Sequence, residues 1–282
     1  MRGCGVVGHR SDDIPCRPSV VPAGVPCDAA GPARAGSLAP VTDDPLAWLT
    51  SLEGVPSAYV AARDGIDVML RDRGLRRTSP ETTAESLLRG AHASAVLEGS
   101  GSSLAEVRAG EGDAVAADAV RVSSELLALV PALGRTPLQA LARVHTLASA
   151  GSLPEDERGR PRDAAAAERL RALATLLTAE TAAPALVVAA VVHADLATSA
   201  PFASHNGVVA RAAERLVLVA RGVDEKSLVV PEAGHLALRE AYESNLRGYR
   251  DGGEAGVHSW LLYAAEAYAA GAEASPLRRE AT

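Results

Sequence analysis

The sequence predicts an all-α bundle, and three observations carry that expectation. Alanine makes up much of a 48% hydrophobic composition while aromatic residues supply only 3%, a balance that favours helix over sheet. Apolar residues recur at helical spacing, as at Leu170, Leu173, Leu176 and Leu177. From Asp44 onward, helical stretches alternate with short loops, the pattern of packed helices.

The 282 residues suffice for one large domain or two small ones. Residues 1–44 are rich in Pro, Gly, Ala and Ser without a period and read as a disordered N-terminal tail. The start, "MRGCGVVGHRSDD", lacks the apolar run of a signal peptide. Cys4, Cys16 and Cys27 do not have the spacing of a CxxC zinc pair. They could form a disulfide among themselves, but the rest of the chain has no cysteine to staple a fold, so a reducing cytoplasm is the expected compartment. The net charge is −7, from 28 basic and 35 acidic residues. No basic block stands out, and nucleic acid is not an expected partner. The apolar run "PALVVAAVVHADLA" is too short to span a bilayer and carries His193 and Asp195. It reads as a buried helix, with no membrane partner.

Residues 45–110 read as N-terminal helices and residues 111–275 as a helical core. The first helices fit 45–52 and 56–73. In "TSPETTAESLLRGAHASAVLEG" Thr78 or Ser79 can cap, Pro80 suits the first turn, and Glu81 and Glu85 favour the positive end. Gly99 is the stop. "LEGSGSSL" follows a helix rather than a strand and reads as a connector. Core helices fit 111–130, 136–150 and 163–180. The polar "AGSLPEDERGRPRD" between the last two, broken by Pro and Gly, reads as a loop or a short β-hairpin. A buried helix at 184–197 comes next, then helices at 206–221, 231–248 and 255–272.

The stretch "SAPFASHNGVVAR" holds the one phenylalanine of the chain. A helix that starts at Asn206-Gly207-Val208-Val209 presents unpaired backbone N–H groups. Gly207 lets a ligand approach the backbone, the helix dipole favours an anion, and Arg211 lies one turn along. Asn206 at such a place also reads as a plain N-cap.

The same stretch resembles the active loop "HPFxDGNGRxxR" of the Fic (fido) family. Aligned without gaps, Pro201, Phe202, Asn206, Gly207 and Arg211 match. "VVHADLATSAPF" is similar to the family's helix that carries a histidine before the motif, here His193. "LARVHTLASAG…RGRPR" resembles the helix and flap upstream, and "AYESNLRGYRDGGEAGVHSWLLYAAEAYAAG" the tyrosine helix and Trp-bearing final helix. The likeness spans roughly residues 80–272. "SAVLEG", with Ser94, Glu98 and Gly99, fits the family's inhibitory helix. The resemblance implies that Glu98 pairs with Arg211 and blocks the place of an ATP γ-phosphate. A solvent-exposed Glu98 near a helix end is the plainer alternative. A Fic-like helical bundle with a flap is the implied fold, ATP with Mg²⁺ the implied ligand, and a protein target and a homodimer the implied partners.

The departures fall on the chemistry. Ala200 stands where the family has its histidine base, Ser204 where it has its acidic metal ligand, His205 at the first glycine and Val208 at the first arginine. A positioned base contributes about 10²- to 10⁴-fold, and a metal adds several kcal/mol of charge stabilisation. Three readings follow. One is an impaired protein adenylyltransferase homologue that still binds a nucleotide or protein. Another is an active transferase that moves AMP from ATP to a protein hydroxyl. The last is a helical scaffold with a vestigial site.

The remaining polar residues read as structural. His205 is expected to fill part of the anion site rather than serve as a base. His193 and His145 read as hydrogen-bonded core histidines, His235 and His258 as residues near helix starts without visible partners, and Asp195 and Glu214 as surface or capping groups. No His, Cys, Asp and Glu cluster has metal-site spacing. Walker, GxGxxG and GxSxG templates are absent.

Overall fold

The computed structural model describes residues 44–72 and 79–278. Thr78 and the three cysteines lie outside the described residues. A 3₁₀ turn at Ala47–Ser51 leads into α1 (Val55–Asp72) and α2 (Pro80–Leu97). The short α3 (Leu104–Ala109) and α4 (Ala114–Glu125) complete the N-terminal half. Then come α5 (Val130–Arg135), α6 (Pro137–Ala148), α7 (Ala164–Thr178), α8 (Ala185–Ser199) and α9 (Asn206–Ala220). The chain ends in α10 (Pro231–Ala237), α11 (Arg239–Asp251) and α12 (Gly253–Glu273). No strand forms among the described residues. The segment expected as a loop or hairpin is a loop, with one antiparallel bridge from Pro161 to Phe202.

Two expected helices differ, and one short helix was not expected. "LEGSGSSL" is a connector between Leu97 and Leu104 as expected, and α3 starts at its end because Ser103 and Glu106 form a reciprocal capping box. The single helix expected at 111–130 stops at Glu125, passes through a 3₁₀ turn and restarts as α5 with Pro131 in its first turn. The single helix expected at 231–248 breaks at Leu238. There Gly234 lies so close to α12 that a β-carbon would stand 2.0 Å from the Ala267 carbonyl oxygen.

The core centres on α8, whose residues 186–196 are all buried. That burial explains its uniform apolarity: α9, α11 and α12 pack around it. Trp260 of α12 donates its indole N–H to the Ala190 carbonyl at 2.9 Å, tying the last helix to the central one. A smaller cluster of Ala91, Ala95, Val107, Ala116 and Ala119 joins α2 to α3 and α4. Small side chains there let α2 lie close to α4. Asp44 ties the turn before the 3₁₀ segment to the α7–α8 loop by accepting from Leu46, Thr181 and Ala182.

No helix among the described residues is long and apolar enough to cross a membrane.

Candidate functional site

The α8–α9 loop owes its shape to two residues in the left-handed region. Ala200 (φ 44) ends α8 and His205 (φ 55) precedes α9. Each costs on the order of 1 kcal/mol in backbone energy, and side-chain bonds offset that cost. Asn206 does not cap the helix; His205 holds that position. Asn206 instead clamps the loop, accepting from the Phe202 amide at 2.9 Å and donating to the Phe202 carbonyl at 3.0 Å. Phe202 is buried and stacks on His145, with ring centroids 4.3 Å apart and planes 9° apart. His145 accepts from the Gly159 amide at 2.8 Å, and Arg162 donates its amide to the Pro201 carbonyl at 2.9 Å. The 149–163 loop is thereby pinned across the α8–α9 loop. Burial, with His205 nearby, pushes the His145 imidazole down to about 4.

Across this loop stands the end of α2. Its capping residue is Glu98, followed by Gly99 in the left-handed region (φ 96). The Glu98 carboxylate accepts from Arg211 Nη2 at 2.6 Å. Arg211 is buried, and its other donors are used as well: Nε to Ser94 Oγ at 2.9 Å, Nη2 to the Ser94 carbonyl at 3.3 Å, and Nη1 to the Tyr242 hydroxyl at 3.1 Å. Burial works against the guanidinium charge, yet the Tyr242 and Glu98 oxygens beside it raise its pKa. A β-carbon on Gly207 would lie 2.1 Å from Glu98 Oε1. The carboxylate therefore rests in the space that the glycine leaves open. Ser94, Glu98, Gly207 and Arg211 meet, with Asn206, Pro201 and Phe202 shaping the loop behind them.

The positions that depart from the family pattern are also specific in their surroundings. Ser204 Oγ lies 2.6 Å from His205 Nδ1, and His205 Nε2 lies 3.3 Å from Asp118 Oδ2 on α4. His205 thus turns to α4, contrary to the expectation that it fills the anion site; the Glu98 carboxylate is the group set against Gly207. Val208 is buried in the core. The acid this loop meets, Asp118, also accepts from Arg121 at 2.7 Å. With Ser204 at the acidic position and Asp118 doubly engaged, the residues do not fit a phosphate-bridging Mg²⁺.

Behind Arg211 lies a second polar group that the sequence did not disclose. Glu214, expected at the surface, is fully buried. Its Oε2 meets His193 Nδ1 at 2.9 Å and His235 Nε2 at 3.0 Å, and its Oε1 accepts from Tyr268 at 2.9 Å. Tyr242 bonds His193 Nε2 at 2.9 Å, and Tyr263 bonds His235 Nδ1 at 2.8 Å. Every nitrogen and oxygen of this trio has a partner. Burial pushes His193 down to about 4. Burial opposes ionisation of Glu214 too, but the two imidazoles hold its pKa below the usual carboxylate range. The three side chains converge closely enough to ligate a cation, which their spacings of 21 residues did not suggest. Asp195 is likewise buried, against Arg169 of α7. His258 also has a partner, the Glu53 carbonyl at 2.7 Å.

Tyr242 and Asp118 are the site residues that sequence reasoning missed. Tyr242 had one signal, its place in the tyrosine helix of the resemblance. Asp118 had none, because only the fold brings it to a loop 87 residues away.

No family model matches the sequence, and no curated protein matches it. Solved structures do match. A Fic family protein from Desulfovibrio desulfuricans G20 superposes with a TM-score of 0.63 at 17% identity, covering 77% of this chain and 73% of that one. A fragment of Fic-1 from C. elegans gives 0.61 at 19% identity, covering 84% of this chain and 77% of that one. With an all-helical core and a flap loop laid across the α8–α9 turn, the chain has the Fic fold.

Proposed function

We propose that the protein is a Fic-type nucleotide-binding protein, impaired in adenylyl transfer, whose phosphate site is closed by its own Glu98. One observation carries the reading. The Glu98 carboxylate lies against Gly207 and bonds Arg211 at 2.6 Å, so an internal anion holds the place that an external phosphate would take. The first-turn amides of α9 and the Arg211 guanidinium suit a phosphate oxygen once that carboxylate leaves. A carboxylate and a phosphate cannot share the space.

Impairment follows from what stands at the chemical positions. The methyl group of Ala200 takes no proton, and Ser204 offers no carboxylate to a metal. Loss of a positioned base alone removes about 10²- to 10⁴-fold. Backbone donors survive such losses, because they do not depend on side-chain identity.

Thermal melts with and without ATP test binding, in the natural chain and in Glu98→Gly. At a hundredfold excess over Kd, a ligand of the native state adds about 2.7 kcal/mol, several degrees for a chain of this size. The shift is expected in Glu98→Gly and is expected to be small in the natural chain. An equal, null response in both leaves a helical scaffold with a vestigial site. Incubation with α-labelled ATP and Mg²⁺ or Mn²⁺ tests impairment; label on the protein or on a second protein would overturn it in favour of an active transferase.

A further inference from the structure

Ser204, His205 and Asp118 form a chain of hydrogen bonds that the Fic-type reading leaves without a role. The hydroxyl lies 2.6 Å from one imidazole nitrogen, and the other nitrogen lies 3.3 Å from a carboxylate oxygen. This is the arrangement of nucleophile, base and orienting acid that activates a serine. We propose that Ser204 is a nucleophile, activated by His205 and positioned by Asp118, that takes an acyl group from a carboxylic ester. The inference stands apart from nucleotide binding.

Two features support the assignment. The His205 backbone is held at φ 55, a region that histidine tolerates, and the Asp118 and Ser204 contacts fix its side chain there. A neutral imidazole that carries its proton on Nε2 donates to Asp118 and leaves Nδ1 as the acceptor facing the serine. Asp118 is itself oriented, since its other oxygen accepts from Arg121 at 2.7 Å. The charged and titratable groups around His205 are therefore Asp118, Arg121 and the His145 imidazole beside the loop. Ser204 and His205 are only partly buried, so a substrate can reach them.

Charge decides the substrate class. The guanidinium groups of Arg121 and Arg211 are already matched by Asp118 and Glu98. While those pairs hold, neither guanidinium is free to meet a polyphosphate at Ser204. A neutral ester asks for less, because only one negative charge develops on its carbonyl oxygen. The first-turn amides of α9 begin two residues after the serine in the chain. In the reaction, Ser204 Oγ bonds the ester carbonyl carbon as its proton passes to His205 Nδ1. The bond from that carbon to the alcohol oxygen breaks, and the alcohol leaves with the proton. Water then releases the acid by the same path in reverse, so the net change is ester plus water to acid plus alcohol.

The test uses the full chain with two probes, a fluorophosphonate and p-nitrophenyl acetate, read by peptide mass mapping. Both are expected to modify Ser204. His205→Asn is the informative variant, since asparagine tolerates the left-handed region but cannot act as a base. It should slow both reactions by about 10²-fold or more. Asp118→Asn should slow them less and alter the pH dependence of labelling, and circular dichroism checks that each variant is folded. If His205→Asn does not fold, His205→Gln and the pH dependence of the natural chain serve instead. An unmodified Ser204, equal rates in the folded His205 variant, or a fluorophosphonate adduct without acetyl transfer would each overturn the proposal.

Discussion

Glu98 and Arg211 stand 2.6 Å apart although 113 residues separate them in the chain. The contact joins the end of α2 to the middle of the first half of α9. Glu98 remains about one third exposed, whereas Arg211 is buried. The pair is therefore asymmetric: the glutamate can leave for solvent, and the arginine cannot. That asymmetry is what the proposed plug over an anion site requires.

Gly207→Ala tests the plug from the other side. The new methyl would stand 2.1 Å from Glu98 Oε1, so the carboxylate must move away from Arg211. Loss of a charge-assisted hydrogen bond predicts destabilisation of about 1–3 kcal/mol, read from the urea midpoint at constant slope. No change in midpoint would show that the carboxylate does not rest there.

Arg211→Met should cost more, about 3 kcal/mol or above, because it strips partners from Ser94, Tyr242 and Glu98 together. Arg211→Lys should rescue little, since one ammonium cannot replace a planar fork that reaches three residues. Equal stability of the lysine variant and the natural chain would refute the geometry.

Gly90→Ala weighs two opposed effects. Alanine gains about 1 kcal/mol of helix propensity. Its methyl would meet Arg215 Nη1 at 2.4 Å, and overpacking costs about 1–3 kcal/mol. Arg215 cannot yield, as it is buried and bonded to Ser86 Oγ at 2.7 Å and the Val229 carbonyl at 2.6 Å. A net loss is expected, and thermal melting that rises instead would mean that α2 is free to shift.

Acid should weaken the fold before it protonates ordinary surface carboxylates. Burial lowers His193 from 6.5 to about 4, so between those values the unfolded chain binds the extra proton. Stability is then full above pH 6.5 and falls as pH drops toward 4, by on the order of 3 kcal/mol for this residue. His145 has the same shift, also through burial, and adds to the slope. Glu214 acts with the same sign further down, since its lowered pKa makes its contribution vanish only in stronger acid. Urea midpoints at pH 7.5, 6.5, 5.5 and 4.5 check this; a flat profile across the upper three would contradict a buried neutral imidazole.

Refitting the family residues should be costly at one position. Ala200→His can adopt the left-handed backbone, where histidine is among the tolerated residues. Val208→Arg places a long charged side chain at a position only 3% exposed, and an unpaired buried charge costs several kcal/mol. Differential scanning calorimetry should therefore show Val208→Arg well below Ala200→His in stability. A Val208→Arg variant as stable as the natural chain would reveal room for an arginine at this position.

The sequence alone determined the helical class and the order of elements. The 3.6-residue period and the terminal signals are local properties, legible at Leu170–Leu177 or at Ser79–Glu85. It also placed the α9 entrance at Asn206-Gly207, and the family resemblance offered the Glu98–Arg211 pair beside a plainly exposed Glu98. The short α3 behind the capping box at Ser103–Glu106 and the break at Leu238 were not foreseen. Burial of polar groups lay outside local reach altogether. Glu214 read as a surface or capping group and His235 as a residue near a helix start without a visible partner, because nothing within a helical turn marks their burial. Only the packing of α8, α9, α10, α11 and α12 gives each its partners, and a buried carboxylate is tolerable only once those partners are in place. Asp118 reaches His205 in the same way, through a contact that the folded chain makes and no sequence window contains.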